Sequence, residues 1–532
     1  MKRLIVKTLS LLAALACSVS DGADPLHQQI DQLISVGFEG EPAAQSSDAE
    51  FFRRISVDLA GRIPGADEVR VFLTDESPDK REKVIDRLLD APEYADRMAN
   101  QFHVMLMERR GENDDWMKFL RACFGENKPW DEMVNAVLSP NREDENLRGA
   151  AYFYTRRLEK VGQQVTDFPG LTRDVGRLFL GVDLQCAECH DHLFIDEYTQ
   201  RDFQGLFSIY QNVSIRKEQF PAINEKSMTA KLEFVSVLTT DKDSTGPRIP
   251  FGQEFEIPEP PPVDPKEKKK RPDPNDPPAF SALRLLADNL PSKNNALFRR
   301  NIANRIWFCM MGRGLVEPLD EFHSDNQASH PELLKLLADE FAAHDFDIKW
   351  LIRELVLTET WQRSSRLHEG HELPAVDSYQ LGNQRRLTAE QFLWSTLQAT
   401  GNLERLKPKA GQEPGEEFTA LESSFLTAFA SEPKVAAVAY APAVKQALFL
   451  LNDSKVLALT DPQSGNLTER LNSVPDEAVA EELYLSVFSR MPDDAERKAI
   501  VEHISENADQ REAAIRRLIW AMLTSIEFAI NH

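Results

Sequence analysis

Apolar residues recur every three to four positions over most of this chain, the spacing of helices that bury one stripe. SSDAEFFRRISVDLAGRIPG sets Ser47 and Glu50 in capping-box spacing, then Phe51, Ile55 and Leu59 on one face, before Gly61 and Pro64 stop it. SPDKREKVIDRLLDAP offers Ser77 as N-cap and Pro78 at the first helical position, with Val84, Ile85, Leu88 and Leu89 as its stripe. One helix is predicted from about Thr172 through RDVGRLFLGVDLQ into the segment LQCAECHDHLF, and another over TQRDFQGLFSIYQ. Beyond residue 280 the pattern is helical again. Leu333, Leu336, Leu337 and Phe341 share one face, Leu351, Ile352, Leu355 and Val356 a second, and REAAIRRLIWAMLTSIEFAINH closes the chain. In SHPELL, Ser329 is placed to cap a helix that Pro331 begins.

Between the helical parts the texture changes. LEFVSVLTT and QEFEIP read as strands joined by the turn-rich DKDSTGPRIPFG. Nine prolines then fall between Pro258 and Pro278, the composition of a stiff, solvated linker, and the basic run Lys268 to Arg271 belongs to that tether. The expected fold class is mainly α, with two helical domains joined by a small β-hairpin or sheet and the Pro-rich linker. The expected divisions are a leader at 1–23, an N-terminal helical domain at 24–213, the β region at 214–257, the linker at 258–279 and a C-terminal helical domain at 280–532.

Charge and leader narrow the function. The net charge of -24 argues against a nucleic-acid partner, which needs a basic face to displace phosphate counterions. Lys2, Arg3 and Lys7 precede the apolar run Leu9 to Ala16, and Ala14-Leu15-Ala16 offers a cleavage site. This is the pattern of a secretory signal, so the protein is expected to be exported to the periplasm or cell envelope. Cys17, directly after Ala16, offers a position for a lipid anchor. No later run of 18 apolar residues predicts a transmembrane span.

Two of the five cysteines sit in LQCAECHDHLF, where Cys186 and Cys189 are two residues apart and His190 follows at once. In C-x-x-C-H the gap lets both sulfurs reach one edge of a porphyrin, and the adjacent histidine falls under the iron as proximal ligand. Haem c is therefore the expected cofactor, held by Cys186, Cys189 and His190. His192 is placed for a supporting role, with Asp191, Asp196 and Asp202 near enough in sequence to orient an imidazole. The same spacing also serves a zinc knuckle or a disulfide, and zinc stands as the alternative cofactor. A haem needs an apolar slot, for which Phe179, Leu184, Phe194, Phe203 and Phe207 are the expected walls. His103, Met107, His323, His330, Met310 and Met311 are the candidates for a distal ligand. Farther on, Asn304, Arg305, Trp307, Arg313 and Glu317 read either as a polar pocket or as a buried Arg–Glu pair joining two helices.

FFRRISVDLAGRIPGADEVRVFL, SPDKREKVIDRLLDAPEYADRMA and DVGRLFLGVDLQCAECHDHLFIDEYTQRDFQGL resemble the first of two paired domains of unknown function found in exported planctomycete-type proteins, family fifteen-forty-nine. NNALFRRNIANRIWFCMMGRGLVEPLDEFHSDNQASHPELLKLLADEFAAHDFDIKWLIRELVLTETWQRSS resembles the second, family fifteen-fifty-three. The family pattern reads C-A-x-C-H-D-H-P-F, and here Leu193 stands where the proline would be. The resemblance implies this architecture and a cytochrome-c-like motif, but no established activity. Three functions follow as expectations: electron transfer or oxidoreductase chemistry with an unidentified redox partner, an envelope scaffold whose cysteines are structural, or an accessory role in polysaccharide breakdown.

Overall fold

Helices α1 (Leu26–Ser35), α2 (Asp48–Ala60), α3 (Ala66–Thr74), α4 (Lys80–Leu89) and α5 (Pro92–Met107) begin the fold. The computed structural model describes residues 24–160, 165–216, 221–259, 278–367, 370, 372–408, 414–431 and 444–532. The leader, Cys17 and most of the proline-rich run lie outside them. Then come α6 (Asp114–Gly125), α7 (Trp130–Leu138), α8 (Tyr152–Leu158), α9 (Phe168–Val175) and α10 (Gln200–Tyr210). After two small hairpins follow α11 (Ala282–Asn289), α12 (Ala296–Met311), α13 (Pro331–Ala343), α14 (Ile348–Leu357), α15 (Glu359–Gln362) and α16 (Ala389–Ala399). Further helices, of 4 to 14 residues, continue to Ile526–Ala529. The protein is mainly α, with only two-stranded sheets among the described residues.

Local chemistry explains most helix ends. The Ser47 side chain accepts the Glu50 N–H, and Gly61 ends α2 in the left-handed region at φ 73°. The Glu50 carboxylate does not close a capping box. It turns instead to Arg54 and to the Ser365 N–H. Helix α4 starts later than expected, with Asp79 in the cap position, although its stripe of Val84, Ile85, Leu88 and Leu89 is buried. Pro331 opens α13 as expected, but the cap residue is His330, not Ser329.

Two apolar cores divide the described residues. The first runs from Leu26 through Tyr379, takes in Leu485 as well, and holds α1 to α15 together. The second gathers Leu387 to Phe528, with Val57 and Ile63 from the α2 region inserted into it. Helix α2 is buried on nearly every side, because it lies between the cores. The terminal nitrogens of its two buried arginines donate to carbonyls on both sides. Arg53 donates to Val487 O and Phe528 O, and Arg54 to Trp361 O and Arg363 O.

A hairpin does form in the expected region, but between different strands. β1 (Val213–Arg216) pairs with β2 (Ala222–Glu225), and β3 (Leu232–Val235) pairs antiparallel with β4 (Lys242–Thr245). The partner of LEFV is thus KDST, from the stretch read as turn. QEFEIP contributes only the isolated bridge between Arg248 and Glu254. KDST carries no apolar alternation. It is held because Arg201 Nη2 donates to both Asp243 oxygens at 2.6–2.7 Å, with Nε at 3.1 Å, and Thr245 is fully buried.

Candidate functional site: a surface cysteine turn

The helix leading toward the cysteines stops earlier than its pattern suggests. α9 widens after Val175 into a π-type turn over Gly176–Leu180 and ends at Gly181, φ 72°. A Cβ on Gly181 would lie 2.6 Å from Phe322 Cδ2, so only glycine fits there. Val182 then bridges to Glu321, and Phe322 N–H donates to Gly181 O at 3.0 Å. These bonds, not a continuing helix, deliver the chain to the motif.

Cys186–Glu188 form a single 3₁₀ turn closed from Cys189 N–H to Cys186 O. Ala187 is its fully buried anchor, while both cysteines are exposed and free. The turn is tied down on three sides. Arg173 pairs with Glu188, Gln204 Nε2 donates to Glu188 O at 2.9 Å, and Val237 N–H donates to Cys189 O at 3.1 Å. The last bond lays the β3–β4 loop beside Cys189.

The His190 ring has Nδ1 2.6 Å from Asp191 O. A carbonyl can only accept, so Nδ1 carries the proton and Nε2 keeps its lone pair for a metal. His192 is held the other way round. Its Nδ1 accepts the N–H groups of Phe194 and Ile195 at 3.2 and 3.0 Å, so Nε2 carries the proton. His192 therefore braces its own loop. Two of the three nearby acids are also engaged. Asp191 accepts the Gln200 N–H at 2.7 Å, and Asp202 takes Thr199 Oγ1 and the Phe251 N–H.

The expected slot walls do not form a slot. Phe179 and Leu184 are fully buried, with Phe179 packed on Trp130 and Phe153. Phe203 is closed in and stacks on Phe207 at 6.0 Å. Apolar surface instead lies open around the turn. Phe194 is 81% exposed and Val237 64%, and Leu193, Val235 and Leu238 are exposed with them. Exposed apolar side chains gathered in one place mark a surface that something covers.

The distal candidates scatter. His103 and Met107 are buried on α5, His330 packs on Tyr379, and Met310 and Met311 line a cavity of about 20 Å³ with Arg54 and Arg385. His323 alone stands on the side of the motif. Its ring and that of His192 both meet Tyr198 edge-on at 6.0 Å, and Tyr198 donates to Phe322 O.

Behind the turn lies a buried ion network that sequence reasoning missed. Asp174 contacts Arg157 at 2.7 Å, Arg110 at 2.9 Å and Arg177 at 3.2 Å. Arg177 also meets Glu108 and Asp320, and Arg110 meets Glu108. Burial pushes the carboxyls of Asp174 and Glu108 up, but the guanidiniums outweigh it and hold both below the usual carboxylate range. The expected Arg–Glu pair is here with a different partner. Arg305 pairs with Asp320 and donates to Arg177 O at 2.9 Å, whereas Glu317 accepts the Gly314 N–H. The signal that could have found it is Asp174 with Arg177 three residues on, inside the apolar stretch LTRDVGRLFLGV, because buried charges come paired.

His103 supplies a pH prediction. Its Nδ1 accepts from Trp116 Nε1 at 3.1 Å, and burial, with Arg109 nearby, pushes its pKa down to about 4. Above pH ~6.5 the ring is neutral both folded and unfolded. As pH falls from there toward 4, the unfolded chain takes the proton first, so stability drops by up to about 3 kcal/mol. Urea titrations at pH 7 and pH 4.5 are expected to differ by less in His103→Gln than in the wild type.

The fold and the turn define a mainly helical protein with two cores and a surface C-x-x-C-H. Residues 29–215, which include the turn, match the family model PSCyt2, a protein of unknown function (DUF1549). Residues 284–424 match PSD1, a protein of unknown function (DUF1553), so the paired domains follow in the expected order. No curated protein and no solved structure matches the chain. The family boundaries do not coincide with the cores, since α11 to α15 of the second region complete the core of the first. Among the described residues no helix is long and apolar enough to cross a membrane.

Proposed function

We propose that this chain is an exported c-type haem protein that exchanges electrons with a partner at its surface. Cys186 and Cys189 would form the two thioethers, and His190 Nε2 would be the axial ligand. The bound haem would supply a one-electron couple. The observation that carries the reading is the donor set. Two free, exposed thiols share one turn, and beside them stands an imidazole whose Nδ1 proton is already spent on a carbonyl. The turn is fixed by its neighbours while the thiols stay open to solvent, which is what covalent attachment requires.

Leu193, Phe194, Val235, Val237 and Leu238 offer an apolar bed at the rim of the turn. These exposed side chains, and not the core residues between α9 and α10, would offer a bound haem its apolar contacts. Zinc is the weaker reading, because a structural zinc needs four converging ligands. Among the described residues no three His, Cys, Asp or Glu side chains are grouped to hold a metal ion. Export rests on the leader sequence at 1–23.

The test is expression through an export route that attaches haem c, followed by denaturing electrophoresis. A haem-stained band at the chain's mass, lost in Cys186→Ala with Cys189→Ala, is the expected result. His190→Ala is expected to keep the covalent band but shift the Soret maximum. A colourless wild-type chain recovered in folded form from that host would sink the proposal.

A further inference from the structure

Six arginines are buried in the described residues: Arg53, Arg54, Arg97, Arg157, Arg305 and Arg363. Five have carbonyl, carboxylate or hydroxyl partners. Arg97, on α5, makes no hydrogen bond or ion pair with any described residue, and its Nε is enclosed without a partner. It is only 9% exposed. Its stem lies on the bare face of Gly61, where a Cβ would come 3.1 Å from Arg97 Cδ. That places the guanidinium in the seam where the end of α2, α5, α12 and the start of α16 meet.

The charges around it are already matched among themselves. Asp58 is held by Arg385 at 2.6 and 2.8 Å and by Asn531 Nδ2 at 2.8 Å. Glu390 is held by Arg109 at 2.8 Å. Cys309, which accepts from Gln101 Nε2 at 3.5 Å, is kept as the neutral thiol by burial, and His103 is a neutral ring at pH 7. Three guanidiniums thus face two carboxylates, which leaves one positive charge in the seam without a counterion. A mostly buried guanidinium with no bonded partner is costly, and its fork matches the two oxygens of a carboxylate or phosphate.

We infer that Arg97 anchors a small oxyanion, a carboxylate or a phosphate group, in the seam between the two family regions. Of its side-chain nitrogens only Nε is enclosed without a partner, so the terminal nitrogens are the ones open to a ligand. The ligand would touch Arg97 from the PSCyt2 region while Arg385 and Glu390 of the PSD1 region frame it. The site is independent of the cysteine turn and of any haem.

The full-length chain can be titrated with sodium phosphate and, separately, sodium acetate at constant ionic strength set by chloride. The measurements are the melting temperature and equilibrium dialysis. A saturable rise with one of the two anions is expected, and the responding salt identifies phosphate or carboxylate chemistry. Arg97→Met is expected to abolish that response and Arg97→Lys to weaken binding at least about ten-fold, because a point charge lacks the fork. Equal melting temperatures in all three salts would overturn the inference, as would an undiminished response in Arg97→Met. Should Arg97→Met not fold, the Arg97→Lys titration decides alone, and wild-type affinity there overturns it.

Discussion

Asp174→Ala is expected to destabilise the protein by about 3–5 kcal/mol, the cost of leaving buried charge without its partner. The side chain is the hub for Arg110, Arg157 and Arg177, and Arg157 is itself buried. Removing the carboxylate leaves Arg157 with Leu106 O, Phe153 O and Met107 Sδ. Those contacts orient a guanidinium but do not neutralise it. Urea unfolding against the wild type measures the loss, and a change under about 1 kcal/mol would show that the network is hydrated and not a dry ion cluster. Asp174 also gives the acid limit a sign. Its folded pKa lies below the unfolded value, so its contribution is full above the usual carboxylate range and is lost as pH falls through the folded value. Asp174→Asn is therefore expected to lose stability at pH 7 and to approach the wild type in strong acid.

Asn304→Ala is expected to cost at least about 3 kcal/mol, since it strands three buried backbone groups at about 1–3 kcal/mol each. Asn304 is fully buried on α12. Its Oδ1 accepts the N–H groups of Leu315 and Val316 at 2.7 and 3.0 Å, and its Nδ2 donates to Val316 O at 2.9 Å. Those bonds shape the segment that goes on to Asp320, Phe322 and His323. The damage should therefore reach the cysteine turn through the Val182–Glu321 bridge and the Tyr198–Phe322 bond. Hydrogen exchange is the measurement, with faster exchange at 182–190 as the expected result. Unchanged protection there would show that the turn is held from the α10 side alone.

The elements themselves were legible because helix formation is local. The stripe of α4, the stop at Gly61 and the start at Pro331 each depend on residues within one turn. The motif was legible for the same reason, as Cys186, Cys189 and His190 are neighbours in the chain. Pairings between separate elements were not. KDST is a strand only because Arg201 and the α10 surface hold it, and Arg305 chose Asp320 over Glu317 because of how the 312–322 segment turns back. The expected apolar slot failed on geometry. Phe179, Leu184 and Phe203 had the right chemistry for a haem wall, but core packing absorbed them and left Phe194 outside.

The sequence by itself determined a mainly helical chain, the order of the two paired regions and the cysteine turn with its histidine, since propensity, caps and ligand spacing act over a few residues. Only the tertiary structure decided that the cysteines face solvent, that α11 to α15 complete the first core, and that Arg97 makes no ion pair with a described residue. The reason is physical. Burial and charge pairing depend on which surfaces meet, and a periodic stripe says that a face is covered without saying by what.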